Sequence, residues 1–122
     1  MHKTMLVAAA LAMACAPAQA AGTSPELEKL RQEIIELIGP AKCMNLVQCR
    51  VLPLGSKPCG GPAEYLVYSW ISTDKGALET RVAEYDLLHE DLQKQQQAAG
   101  ACVVLPEPVA ACVNGRCVLP AQ

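Results

Sequence analysis

Aromatic side chains are scarce in this sequence of 122 residues, which has three tyrosines, one tryptophan and no phenylalanine. A core built from Leu, Val, Ile and Ala buries less apolar area per residue than an aromatic core does. Covalent constraints then matter more for stability, and one disulfide contributes about 2–4 kcal/mol. The scarcity of aromatic residues therefore gives weight to the seven cysteines.

Histidine is equally scarce, and His89 is the only one beyond the first twenty residues. A single histidine argues against a Ser-His-Asp triad and against a His-rich metal site. We expect His89 to lie on the surface of a helix. Gly60 and Gly61 are followed by Pro62 rather than by a helix start, which does not fit a phosphate-binding glycine motif. No cofactor and no enzymatic activity are predicted.

Residues 1–20 predict a secretory signal peptide that is cleaved after Ala20. Lys3 supplies the positive charge, and residues 18–20 form an A-x-A cleavage site. The apolar stretch 6–16 is too short to span a bilayer of about 30 Å. The alternative is a buried N-terminal helix. The remaining 102 residues, 21–122, are predicted to form one secreted or periplasmic domain whose core covers about 43–119.

Lipidation at Cys15 is an alternative route of export. Residues 12–15 weakly resemble a bacterial lipobox, although Ala12 stands where that motif usually has Leu. Both routes would leave the same cysteines downstream.

Charge argues against two classes of partner. Once Lys3 is removed with the leader, nine basic residues stand against twelve acidic ones. This balance does not favour binding to nucleic acid or to an anionic membrane, and no segment is apolar enough to span a membrane. We expect the partner to be a protein of the envelope or the extracellular space.

Six cysteines lie beyond residues 1–20. An even number of cysteines in an exported chain predicts disulfides, here three, and fifteen pairings of six cysteines are possible. A zinc site on Cys112, Cys117 and a third cysteine is the alternative, but the C-x4-C spacing lacks the close C-x2-C pair. The predicted disulfide cysteines are Cys43, Cys49, Cys59, Cys102, Cys112 and Cys117.

Two helices are predicted. The first is capped by Ser24, begins at Pro25 and ends at Gly39-Pro40. The second is capped by Thr73 or Asp74 and runs to about Gln97. Its acidic residues are expected to form mostly a solvated face. Its glutamine-rich tail, 93–97, is expected to fray or to serve as a spacer, and a specific contact made by a glutamine is the alternative.

Strands are predicted over 46–54, 65–71 and 101–105, followed by a hairpin at the Asn114-Gly115 turn. In that hairpin Val113 pairs with Arg116, and Cys112 pairs with Cys117. Three segments begin with Cys and end in Val-Leu-Pro, namely 49–53, 102–106 and 117–120. This likeness suggests that they are strands of one sheet. The predicted fold is therefore α+β: a small antiparallel sheet of three to five short strands packed against two helices and stapled by disulfides.

Residues 59–69 read CGGPAEYLVYS, and residues 112–117 read CVNGRC. This pattern resembles the CGGPxxYLxYS signature and C-terminal CxNGxC of a family of small exported Cys-rich bacterial proteins without an established function. The resemblance implies a fold and no activity. Residues 44–48 are apolar where relatives tend to be acidic, so no role that needs acidic groups there, such as calcium binding, is expected.

We expect a non-enzymatic binding or scaffolding role in the cell envelope. The alternatives are an inhibitor of a protease or other hydrolase, with Lys57 as specificity residue despite the Pro58 that follows, and a thiol-disulfide oxidoreductase, for which C-x-x-C is missing. The segment around Cys59 is either a structural corner or a rigid recognition loop. The candidate binding residues are Lys57, Pro58, Gly60, Gly61, Pro62 and Tyr65.

Overall fold

A computed structural model describes residues 24–96 and 103–121. The predicted signal peptide, Cys15, Cys102 and the predicted end of the second helix at Gln97 lie outside these residues. Two helices, a 3-10 turn and four short strands follow one another in the chain: α1 (Pro25–Ile38), the 3-10 turn (Leu46–Gln48), β1 (Cys49–Leu54), β2 (Glu64–Ser69), α2 (Lys75–Gln96), β3 (Ala111–Val113) and β4 (Arg116–Val118).

Both helices begin where the sequence predicts. The Ser24 hydroxyl accepts a hydrogen bond from Leu27 N at 3.0 Å, and Pro25 is the first helical residue. Asp74 caps α2, because its carboxylate accepts from Ala77 N at 3.1 Å. α1 ends at Gly39, whose φ of 57° lies in the left-handed region.

The α+β class is confirmed, but the single predicted sheet is wrong. β1 pairs with β2, and β3 pairs with β4, so the described strands form two antiparallel sheets of two strands each. The strand predicted over 46–54 begins only at Cys49, because Leu46–Gln48 form a 3-10 turn. Residues 103–105 are not in a strand, and the other two residues of the strand predicted there lie outside the described residues.

The hairpin at Asn114-Gly115 is confirmed in its register. Val113 pairs with Arg116, and Cys112 pairs with Cys117. Asn114 and Gly115 have φ values of 52° and 75°, as a two-residue turn of this kind requires. The two cysteines do not bridge each other: Cys112 is bonded to Cys43, and Cys117 to Cys49.

One core joins the helices to the first sheet. Ile34 of α1, Leu54 of β1 and Leu78 of α2 are almost completely buried. α1 packs against α2 and β2, and α2 also contacts β1. Arg31 adds a two-pronged ion pair from α1 to Glu64 of β2, with nitrogen–oxygen distances of 2.8 and 3.1 Å. The short second sheet is tied to this body by the two disulfides.

Candidate functional site: the Cys59 loop

The loop between β1 and β2, residues 55–63, is here called the Cys59 loop. It closes on itself through backbone hydrogen bonds: Lys57 N donates to Gly61 O at 2.9 Å, and Gly60 N donates to Lys57 O at 3.0 Å. Ala63 N donates to Leu54 O at 3.0 Å and returns the chain to β2. The loop is therefore a turn that is held by hydrogen bonds within its own backbone.

Two glycines make this turn possible. Gly60 and Gly61 have φ values of 96° and 79°, a region that side chains with a Cβ rarely adopt. At Gly61 an added Cβ would also lie 3.2 Å from a methyl carbon of Val104. A residue with a side chain would therefore be strained at either position.

Side chains from α2 hold the start of the loop. Gly55 N donates to the Asp86 carboxylate at 2.8 Å, and Ser56 N donates to His89 Nδ1 at 3.3 Å. Gln93 Nε2 donates to Ser56 O. Three polar residues on one helix face thus satisfy two consecutive backbone amides and a carbonyl.

The predictions for these three residues were wrong. Asp86 and His89 were expected on a solvated surface, and Gln93 in a tail without specific contacts. His89 is instead half-buried and stacks on Tyr85, with ring centroids 5.7 Å apart. Positions 86, 89 and 93 are three and four residues apart and therefore share one helix face. This spacing is the sequence signal that could have grouped the three residues. The loop that they bind is far away in sequence, so spacing alone could not identify their partner.

Two of the predicted binding residues contact the segment 103–105. Lys57 Nζ donates to Val103 O at 3.1 Å, and the Tyr65 hydroxyl donates to Leu105 O at 3.4 Å. These side chains therefore connect the loop and the start of β2 to the segment 103–105. Cys59 is itself disulfide-bonded, which adds a covalent constraint at the tip.

The exposed part of the loop is its tip, Pro58 to Gly61, whereas Pro62 is half-buried. Beside the tip lies an open groove of about 610 Å³ between the loop and the C-terminal half of α2. Glu90 and Lys94 on its helical wall form an ion pair at 2.8 Å, and this contact lowers the pKa of the Glu90 carboxyl. Its lining residues are Ser56, Lys57, Pro58, Gly60, Glu90, Gln93 and Lys94.

The cysteines of the described residues have a structural role. All five cysteines in the described part of the chain, Cys43, Cys49, Cys59, Cys112 and Cys117, are in disulfides. The sulfurs of Cys43, Cys49 and Cys117 lie within 4.8 Å of one another because two disulfides are neighbours. A sulfur in a disulfide is not a thiolate, which is the form that binds zinc or attacks a substrate.

Comparison with known proteins finds no matching family model, no similar curated protein and no similar solved structure. Within residues 24–96 and 103–121, no helix combines the length and the apolar character needed to cross a membrane. What the chain does is therefore inferred from the Cys59 loop and its surroundings.

Proposed function

We propose that this chain is an exported, non-enzymatic binding domain of the cell envelope that contacts a protein partner through the tip of the Cys59 loop. The observation that carries the proposal is a loop whose tip is exposed although the loop is held at three points. α2 binds Gly55 and Ser56, residues 103–105 accept from Lys57 and Tyr65, and a disulfide fixes Cys59.

Rigidity of this kind favours recognition. A loop that already has its bound shape loses less conformational entropy when it meets a partner. The groove beside the tip adds Glu90 and Lys94, which offer charges of both signs at its edge. A protein partner with a protruding polar segment fits such a surface better than a buried apolar ligand would.

Export is the second part of the proposal. It is supported by the sequence of residues 1–20 and by disulfides, which persist in oxidising compartments. The anchor at Cys15 remains an alternative form of the same localisation. Fractionation of cells expressing the full chain tests this part: recovery of the uncleaved protein in the cytoplasm would contradict export.

A matched pair of variants tests the binding surface. Pro58→Glu places a charge on the exposed tip, and Pro120→Glu places the same charge at another exposed proline outside the loop. We expect a partner captured from envelope extract by the purified domain to be lost with Pro58→Glu and kept with Pro120→Glu. Equal capture by both variants, or by neither, would overturn the loop as the binding surface.

Inhibition of a protease by Lys57 is disfavoured by two observations. A specificity lysine must enter the pocket of the protease, whereas the Lys57 ammonium bonds to the Val103 carbonyl. Pro58 also follows the bond that would be presented for cleavage. We expect no inhibition of a panel of trypsin-like proteases at micromolar concentration.

A further inference from the structure

A second exposed surface lies away from the Cys59 loop, on and beside the 3-10 turn before β1. We call it the apolar patch and define it by Met44, Leu46, Val47, Trp70 and Ile71, all of which are exposed. Met44 is 86% exposed and Val47 69%, and Trp70, the only tryptophan, is 51% exposed. Large apolar side chains grouped on a surface in this way commonly mark an interaction site.

Hydrogen bonds hold the patch together. The Trp70 indole N–H donates to Val47 O at 3.0 Å, and Trp70 N donates to Gln48 O at 3.1 Å. Met44 N donates to the Gln48 side chain at 2.7 Å. The polar groups beneath the apolar side chains are therefore paired within the protein, which lowers the cost of moving the patch out of water.

Cationic residues lie close to the patch in the chain. Arg50 donates to Val47 O at 2.6 Å, and Lys42 pairs through its backbone with Arg116 of β4. The sequence has no acidic residue between Glu36 and Glu64, and nine of the twelve acidic residues lie on α1 and α2. The net negative charge of the chain therefore conceals a local excess of cations beside exposed apolar side chains.

We propose that the apolar patch docks on the surface of an anionic lipid bilayer. In this arrangement Met44, Leu46 and Val47 enter the boundary between headgroups and acyl chains, and the Trp70 ring lies at headgroup level. Lys42, Arg50 and Arg116 face the lipid phosphates. Apolar side chains with an indole and a cationic rim are the combination that binds such interfaces.

A bilayer fits the patch better than a protein does. The polar groups named above already have partners within the turn, whereas protein interfaces add directional hydrogen bonds across the contact. Lipid offers hydrocarbon and phosphate, which match the apolar and cationic parts. The inference goes beyond the proposed function, since it concerns a different surface. It differs from the expectation, drawn from overall charge, that an anionic membrane is not a partner.

Trp70 is a built-in reporter for this test because it is the only tryptophan. Purified protein is titrated with phosphatidylglycerol vesicles and, separately, with pure phosphatidylcholine vesicles. We expect a blue shift of tryptophan emission and quenching by brominated acyl chains with the anionic vesicles, and weaker binding as salt is raised. No spectral change with either vesicle, or equal affinity for both, would overturn the proposal.

Matched variants identify the surface. Val47→Asp should weaken binding to anionic vesicles about tenfold or more, because it places a charge where the patch meets hydrocarbon. Val109→Asp is the control, since Val109 is 78% exposed and lies outside the patch.

A pair of double variants tests the contribution of charge. Lys42→Gln combined with Arg116→Gln should weaken binding several-fold, whereas Lys29→Gln combined with Lys75→Gln should not. Equal effects within either pair would contradict this assignment.

Sedimentation and protein capture test other occupants of the patch, and vesicle binding by a loop variant keeps the two proposals distinct. Sedimentation that shows a dimer in which Trp70 is shielded without lipid would assign the patch to a second copy of the chain. Capture of a protein that requires Val47, combined with no vesicle binding, would assign it to a protein partner. Pro58→Glu should bind vesicles like the unmodified chain, so failure of the Cys59 loop proposal leaves this one standing.

Discussion

At the scale of single residues, the chain uses its few aromatic groups where they join elements or meet the surface. Tyr85 of α2 is buried in the core and stacks on His89. Tyr65 bonds to Leu105, and Trp70 bonds to the turn before β1. The scarcity of aromatic residues predicted an aliphatic core but gave no indication of these positions.

Burial of Tyr85 predicts a loss of stability at alkaline pH. Its pKa is raised, first by burial and then by the nearby Glu64 carboxylate. An unfolded tyrosine releases its proton near pH 10, whereas the folded one retains it to higher pH. The unfolded state then binds fewer protons than the folded state, so stability falls as pH rises from about 10 through the folded-state pKa.

The variant Tyr85→Phe isolates this effect. Urea unfolding of both proteins from pH 8 to pH 11 should show a steeper loss of unfolding free energy for the unmodified chain. Lysines and arginines titrate in both proteins and cancel in the comparison. Parallel curves would show that the phenol is not the group responsible.

At the scale of elements, α2 does more than cover the sheet. One face supplies Leu78 to the core, and the C-terminal half of the helix bonds to the Cys59 loop through Asp86, His89 and Gln93. The start of the helix was predictable because a cap is local. Its role as a support was not, since the partners of these side chains lie more than thirty residues earlier.

Removing the Asp86 carboxylate should loosen the loop without unfolding the domain. Asp86→Ala leaves Gly55 N without its charged acceptor, and a hydrogen bond to a charged group contributes about 1.5–3 kcal/mol. We expect faster amide hydrogen exchange at Gly55 and Ser56, with the strand amides of β2 little changed.

A neighbouring acid provides the control. Asp91 is an exposed acid of the same helix, so Asp91→Ala removes the same group from the solvated surface. It should leave loop exchange unchanged. Equal exchange in the two variants would show that Asp86 does not hold the loop.

At the scale of the whole molecule, the even number of cysteines predicted disulfides but not which cysteines pair. Helix caps, the Asn-Gly hairpin and the Gly-Gly corner depend on neighbouring residues, so they could be predicted from sequence. The split into two sheets could not, because it depends on which strand edges meet after folding. Residues 46–48 were predicted to begin a strand because the segment is rich in Val and Leu, and they form a 3-10 turn instead.

The third disulfide is predicted by proximity. Lys57 bonds to Val103, and Gly61 faces Val104, so the tip of the Cys59 loop lies beside the residue that follows Cys102. We expect Cys59 to be bonded to Cys102. The folded protein should have a mass six hydrogens below that of its reduced form.

Alkylation of a variant tests this pairing. In Cys102→Ser the Cys59 sulfur should become reactive towards iodoacetamide, whereas the unmodified chain should not react. Trypsin and a Glu-specific protease then release residues 51–64, in which Cys59 is the only cysteine, so the mass of this peptide locates the label. A label on another cysteine, or no label, would contradict the pairing.

The two described disulfides also determine what happens when the backbone is cut. Cys43 and Cys49 both connect to the terminal hairpin, at Cys112 and Cys117, so every peptide bond between Cys49 and Cys112 lies inside a covalent ring. A protease that cleaves once within this stretch opens the ring and releases no fragment. The nicked protein would keep its mass, plus one water, and its hairpin would remain attached. Such a molecule keeps both parts of its backbone joined after its first cut.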